Sequence, residues 1–437
     1  MRNLEKLNLI PEFEETIETF NLIEKNDKIL ISYSGGPDST FLTLSLLKIK
    51  EKYNLTLSIF YLNHRLPGSL DSRKVEEFAA NFGLKSYVYE EDIVKFSKEN
   101  KLNIEEAGRI KRYSLLEEIS LKDGYNKIAT AHTLNDALES YIIRFLREGL
   151  SLLSPPIKPK FKKIIRPLIL IPREKILRFL KENDIPYHLD IENYDLRRTR
   201  NKIRHILVPI LFREFNYNLE KFKKFYLRAL EESEFYERKV KSEVKSVIEE
   251  ENPLYLKINR EKILKLDSFE KREVLKNIYY DFCPENELTR ETLFKMEKIL
   301  ENGGKIEVRK NVYFISKKNL VLFLRKIPYF EIPLKEGEFE IEGLKIKIKI
   351  SEDREKGGLP RSLLSEAKLR LRKKGDFIET EKGKKLKLKK FFENKKVPFY
   401  LRDNLVVLEY KGNIVWVEGF EPFMKGGNIK IEVLKWI

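Results

Sequence analysis

Between residues 28 and 170 the chain alternates short apolar runs with stretches whose apolar residues recur every three or four positions. The runs at 28–33, 55–62, 86–90, 127–131 and 163–168 read as strands and the intervening segments as helices. Strands and helices taking turns predict a parallel sheet covered on both faces, with any ligand beyond the carboxyl ends of the strands where the topology reverses. From about 213 to 300 the pattern becomes helical and strongly charged, with Pro253 and Pro284 as breaks, and predicts an all-helical middle domain. That domain reads equally as a spacer or as a direct RNA contact. After Gly303-Gly304 the period falls to two, most plainly over 339–350, and strands dominate the last third.

Charge changes the picture. Lys plus Arg number 86 against 69 Asp plus Glu, a formal net charge of +17, which suits a polyanionic partner or a proteome rich in surface ion pairs. Residues 368–396 hold thirteen Lys or Arg against four acids, with Phe377, Phe391 and Phe392 among them and Phe399 just after. Such a run is either a solvated basic face or a nucleic-acid surface in which rings stack on bases and lysines hold phosphates. A single cysteine, Cys283, excludes a disulfide framework and a thiolate-clustered metal site and fits a reducing compartment. With neither a signal-peptide core nor a long apolar stretch, a cytoplasmic protein without membrane association is expected.

The candidate chemistry sits where the first strand ends, at Ser34-Gly35-Gly36-Pro37-Asp38-Ser39. Adjacent glycines admit an anion close to the backbone, and the helix start offers unpaired amide donors. The Walker pattern of four residues between glycines and a Lys-Ser/Thr ending is absent. The hexapeptide resembles the PP-loop of N-type ATP pyrophosphatases, which cleave ATP between its alpha and beta phosphates.

Further segments resemble the tRNA(Ile)-lysidine synthase family nearly end to end: Asn63-His64-Arg65-Leu66, the helix from Ile104 through Arg109 and Arg112 to Tyr113, and Ala131-His132-Thr133-Leu134-Asn135-Asp136 followed by Glu139. Arg166-Pro167-Leu168, Arg200-Asn201-Lys202-Ile203-Arg204-His205, Gly375-Asp376, Lys384-Lys385-Leu386-Lys387 and Trp416-Val417-Glu418-Gly419-Phe420 extend the match. Thr133 stands where the family has a second His, Asn135 where it has the first of two Asp, and the glycine-rich stretch is reduced to Glu148-Gly149-Leu150.

The resemblance implies an α/β architecture: a parallel-sheet, Rossmann-like PP-loop domain over 1–212, a helical middle domain over 213–325 and a β-rich tRNA-binding domain over 326–437. It also implies a carbon-nitrogen ligase. ATP adenylates the oxygen on carbon 2 of the first anticodon cytidine of tRNA(Ile) with a CAU anticodon, and free L-lysine then attacks that carbon. The implied ATP site is Ser34, Gly35, Gly36, Pro37, Asp38 and Ser39 with Arg109 and Arg112, the two arginines reading otherwise as surface ion pairs. Asp38 is the expected Mg2+ ligand, since that ion takes one or two carboxylates plus phosphate oxygens. Asp136 and Glu139 read as lysine or magnesium ligands, or as ordinary capping and solvation. His132 reads as the acceptor of the amine proton or as a core histidine, and with Asp38 and Asp136 completes the expected catalytic set. Arg197, Arg200 and Arg204, with Lys384, Lys385 and Lys387, are the expected tRNA contacts. The oligomeric state is open, a homodimer included. Sulfur-inserting and glutaminase-bearing relatives need cysteines that this chain lacks. The remaining alternatives are another PP-loop tRNA-modifying enzyme and a non-catalytic RNA-binding protein on a degenerate nucleotide fold.

Overall fold

The computed structural model describes residues 7–66, 68–148, 155–189, 195–283, 288–341, 344–352, 358–379, 385–424 and 427–436. The chain divides into two compact units, Met1–Tyr236 and Glu237–Ile437.

In the first unit, α1 (Pro11–Thr19) precedes β1 (Lys28–Ser32), α2 (Pro37–Lys48), the single turn α3 (Lys50–Tyr53), β2 (Thr56–Asn63), α4 (Ser72–Asn81) and β3 (Lys85–Glu90). Then come α5 (Ile93–Asn100), α6 (Ile104–Lys122), β4 (Lys127–Ala129), α7 (Leu134–Glu148), β5 (Lys160–Phe161), β6 (Ile164–Ile165) and α8 (Arg173–Glu182). A short α9 (Thr199–Lys202) runs through a π-helical turn, Ile203–Leu207, into α10 (Val208–Glu214), and α11 (Leu219–Val247) follows. The sheet order is β3-β2-β1-β4-β6-β5, parallel except for the β5/β6 edge. Because β1 pairs β2 on one side and β4 on the other, the topology reverses beside β1, and the loops after β1 and β4 flank the resulting crevice.

Alternation along β1 builds two cores. Ile29 and Ile31 face a cluster with Phe41, Leu42 and Leu46 of α2 and Leu180 of α8, while Leu30 faces Phe60, Ile128 and Leu116 on the opposite side. Each fully buried side chain of this size stabilises the fold by about 1.5–3 kcal/mol, so the strand beneath the loop is fixed from both faces.

The second unit opens with the β7/β8 hairpin (Ile248–Asn252, Tyr255–Asn259), then α12 (Arg260–Leu264), α13 (Ser268–Phe282) and α14 (Arg290–Asn302). β9 (Gly304–Arg309), β10 (Val312–Lys317) and β11 (Leu320–Arg325) complete an antiparallel sheet ordered β7-β8-β11-β10-β9. Helices carry most of the middle segment, as expected, but it is not all-helical. The Asn252 side chain accepts the Leu254 and Tyr255 amides at 2.9 and 3.0 Å and turns the chain at Pro253 into a hairpin whose Glu-rich first strand hides the period of two.

The remainder is β-rich: β12 (Glu331–Pro333), β13 (Gly337–Ile341), β14 (Leu344–Glu352), β15 (Lys368–Leu371), β16 (Phe377–Glu379), β17 (Lys385–Lys387), α15 (Leu388–Asn394), α16 (Phe399–Arg402), β18 (Val406–Tyr410), β19 (Asn413–Val417) and β20 (Ile429–Trp436). They form sheets ordered β12-β15-β18-β19-β16-β17 and β13-β14-β20. Among the described residues no helix is long and apolar enough to cross a membrane.

Candidate active site

The loop after β1 is folded on itself. Gly36 is extended and caps α2, and Pro37 occupies the first helical turn, where a missing N–H costs nothing. The Ser34 amide donates to Ser39 Oγ at 3.2 Å, the two serine hydroxyls lie 3.2 Å apart, and Ser39 Oγ donates to the Gly36 carbonyl at 3.0 Å. Gly35 has φ +77°, a left-handed conformation that glycine adopts without cost. Its carbonyl accepts the His188 amide at 2.8 Å, and a Cβ there would lie 2.3 Å from Leu70 Cδ2. Beside this turn opens a cavity of about 410 Å3 that also takes in α6, the start of α7 and residues near α9.

Asp38, in the first turn of α2, lines the cavity. Its Oδ2 lies 3.5 Å from Arg173 Nε, while its buried Oδ1 has no hydrogen-bond partner among the described residues. Burial pushes its pKa up to about 6, opposed by Arg173 and reinforced by the Asp136 carboxylate. A buried carboxylate with an unused oxygen and a second carboxylate near enough to be felt is the donor set a hard divalent cation takes, so the residues fit Mg2+. Arg173, unforeseen in the sequence, is held in turn: its amide donates to Asn135 Oδ1 at 2.9 Å. Asn135 thus ties the start of α8 to that of α7.

Thr133 and Asp136 form a reciprocal cap at the start of α7. Thr133 donates its amide and hydroxyl to Asp136 Oδ2, both at 2.8 Å, and its hydroxyl oxygen accepts the Asp136 amide at 3.5 Å. The other oxygen, Oδ1, faces Arg204 Nη2 at 3.2 Å. Burial works against the Asp136 charge, but His132, Arg204 and the Thr133 amide outweigh it and lower the pKa. Glu139, one turn on and 2% exposed, accepts both Arg204 Nε at 2.6 Å and Nη2 at 2.9 Å. Burial opposes the Arg204 charge, yet Glu139, Asp136 and Asp38 raise its pKa on balance. Burial pushes the Glu139 carboxyl up, against the pull of Arg204, and the two-point geometry favours the ionic pair.

His132 is half-buried on the cavity wall with Nδ1 3.0 Å from Thr130 Oγ1. Burial, joined by the Arg166, Arg109 and Arg200 charges, pushes its pKa well below the ordinary imidazole value, although Asp136 pulls the other way. The expected near-neutral imidazole is therefore a neutral ring in this cation-rich cleft. On α6, Arg112 Nη2 meets His64 Nε2 at 3.0 Å and Arg109 stacks over the Tyr113 ring at 5.0 Å, both arginines lining the cavity. Gly108 leaves room for His64, whose Cε1 would be 3.2 Å from a Cβ at that position.

Residues 8–211 match the PP-loop domain model, and residues 367–425 match the TilS substrate C-terminal domain. A tRNA(Ile)-lysidine synthase of Caldanaerobacter subterraneus subsp. tengcongensis is 31% identical over 96% of this chain and 94% of its own length. The chain belongs to the tRNA(Ile)-lysidine synthase family. The Persephonella marina member is 29% identical over 94% of both chains, and the Thermosipho africanus member 39% identical over 48% of this chain and 49% of its own. Membership makes ATP the co-substrate and the chain a ligase that modifies tRNA.

For a member of the lysidine synthase family, the expected tRNA contacts fall into separate environments. Arg197 is exposed and paired with Asp195 through Nε at 2.9 Å. Arg200 reaches Ser140 Oγ at 3.2 Å and lies 3.7 Å from Glu139, inside the cleft. Arg204 is enclosed by Glu139 and Asp136, not displayed on a surface, because two acids of α7 await it beside the π-helical turn. Lys385 and Lys387 are exposed on β17, whereas Lys384, with Gly149 and Leu150, lies outside the described residues.

The basic run also divides. Arg370 is buried in ion pairs with Asp376 and Glu409, and Lys368 and Lys373 both reach Glu331. Phe391 and Phe392 belong to an apolar core, while Phe377 and Phe399 are exposed. The Gly375-Asp376 motif accordingly anchors a buried arginine.

Proposed function

We propose that the cleft adenylates the C2 oxygen of the first anticodon cytidine of tRNA(Ile) with a CAU anticodon and then joins an amine of L-lysine to that carbon. The C2 oxygen attacks the alpha phosphate and pyrophosphate leaves. The amine then attacks C2, sheds a proton, and the C2–O bond breaks to release AMP. The observation that carries this reading is the convergence of the PP-loop, two arginines of α6 and two acids, Asp38 and Asp136, around one cavity, with Glu139 buried behind Arg204.

The departing pyrophosphate needs fixed positive potential, which the loop amides and the start of α2 supply, with Arg109 and Arg112 across the cleft. Bound at Asp38, Mg2+ would neutralise phosphate charge. We assign Asp136 and Glu139 to the cationic amino acid, Asp136 lining the cavity and Glu139 reached by displacing Arg204 from its two oxygens. His132 accepts the proton of the attacking amine. Its basicity is suppressed chiefly by burial and further by Arg166, Arg109 and Arg200, and the phosphate of the adenylate lying against those arginines would raise it. Exposed Arg197, Lys385 and Lys387 hold tRNA phosphates, Lys384 with them, and Arg200 lies where the anticodon enters. The chain works as segments 1–212, 213–325 and 326–437, the first for chemistry and the last for tRNA, in the cytoplasm. Nucleoside mass analysis of a transcript incubated with ATP, Mg2+ and lysine tests this. A lysyl-cytidine adduct with stoichiometric AMP is expected, and ADP in place of AMP, or no adduct, overturns it.

A further inference from the structure

A second charged cavity, of about 340 Å3, lies within the Glu237–Ile437 unit where β9 and β10 meet α16. Strand register explains it. Lys305 of β9 pairs with Ile315 of β10, and Tyr313, Ile315 and Lys317 alternate onto the same face. Beneath them Tyr255, Ile315, Leu322 and Leu324 form a buried cluster on which Tyr400 and Leu401 pack, with the Tyr255 and Tyr400 rings 5.2 Å apart edge to face. The helix is anchored through those two side chains, and Phe399 is left 45% exposed at the cavity.

Cations also line the cavity. Lys317 Nζ lies 5.6 Å from the centre of Phe399, while Lys305 and Lys326 converge on one ring, Tyr313, at 3.8 and 5.6 Å. Burial and, after it, the nearby Lys326 charge lower the Lys305 pKa, against the pull of Glu307 and Asp403. Asp403 is the acid at the cavity among the described residues, and it is shared between Arg372, 2.9 Å from Nε to Oδ1, and Lys326, at 3.5 Å. Three ammonium groups line the cavity beside a half-exposed Phe399, with Lys317 over that ring and Lys305 and Lys326 over Tyr313, in a space the size of one nucleotide.

We propose that this cleft is a single-stranded RNA subsite, in which an unpaired nucleotide of the tRNA stacks its base on Phe399 and places its phosphates among Lys305, Lys317 and Lys326. The proposal rests on the tRNA-modifying reading above and gives the middle segment a direct RNA contact. It is separate from the exposed lysines of β17. Stacking on aromatic rings is tolerant of sequence, so the subsite contributes affinity and leaves base discrimination to the anticodon end.

The test uses full-length enzyme and the tRNA(Ile) transcript, with dissociation constants measured across a salt series. Phe399→Ala should weaken binding about tenfold, as loss of one stacked base does, and Phe399→Trp should retain it. Lys305→Ala with Lys317→Ala should reduce the log–log salt slope by about two. Wild-type affinity in Phe399→Ala, an unchanged slope in the double variant, or equal loss with Trp overturns the subsite. Lysidine formation by the wild-type enzyme in the same preparation separates the two ideas: adduct with unaffected variant binding removes only the subsite, and absence of adduct removes the function.

Discussion

Arg204 and Glu139 meet through two hydrogen bonds, Nε to Oε1 at 2.6 Å and Nη2 to Oε2 at 2.9 Å, and the same Nη2 donates to Asp136 Oδ1 at 3.2 Å. Breaking a buried pair strands the surviving charge, so Glu139→Ala should cost about 3–5 kcal/mol in denaturant unfolding. The exposed Arg228–Glu232 pair should give no more than about 0.5 kcal/mol when Glu232→Ala is made. Equal losses at the two sites would show that the Arg204 pair is solvated.

Asp38→Asn keeps the shape of the side chain and removes its charge. Pyrophosphate release at saturating ATP should fall by at least about a hundredfold, the scale of losing one electrostatic stabiliser of departing charge. Affinity for tRNA should persist. Unaltered turnover across a magnesium titration would take Asp38 out of the metal role.

Gly35→Ala should raise the KM for ATP, because the left-handed backbone costs an alanine about 1 kcal/mol and Leu70 must rotate away. Gly83, at φ +62° with open space around it, supplies the control. Gly83→Ala should lower the melting temperature comparably and leave the KM alone. A rise in both, or in neither, would separate the loop from nucleotide binding.

The sequence made 34–39 and the parallel sheet readable because both are local: strand and helix periods flank the loop, and two core faces follow from alternation in three residues, Ile29, Leu30 and Ile31. Arg173 escaped because its contact with Asp38 exists only once α8 has folded back beside α2. Arg204 sits in a run of cations that looks like a solvated face, and nothing in that run reveals Glu139 waiting on α7. Thr133 and Asn135 looked like losses of chemistry, whereas both hold helices in place. In the basic C-terminal run the period of two was visible, but which cations meet acids was fixed by Glu331, Asp376 and Glu409 arriving from elsewhere.

His132 carries a stability signature. Its folded pKa lies below the unfolded value near 6.5, so the stabilisation is full above that pH and is lost as acid protonates the unfolded chain first. The wild type should lose melting temperature between pH 7 and 5 faster than His132→Asn. Parallel curves would mean that the ring is solvated and ordinary.

Lys385→Ala with Lys387→Ala, both exposed on β17, should flatten the salt dependence of tRNA binding by about two in log–log slope with little change in melting temperature. An unaltered slope would assign these lysines to solubility.

The reciprocal cap between Thr133 and Asp136 gives one carboxylate two incompatible duties. Oδ2 is committed to the cap of α7, and Oδ1, which faces Arg204 Nη2 at 3.2 Å, is the oxygen turned to the proposed chemistry. Asp136→Ala therefore weakens the start of α7 at the same moment that it removes the carboxylate proposed for lysine, and lost activity there would have two origins. Thr133→Val, which removes the hydroxyl and keeps the acid, exposes the mechanical share by itself.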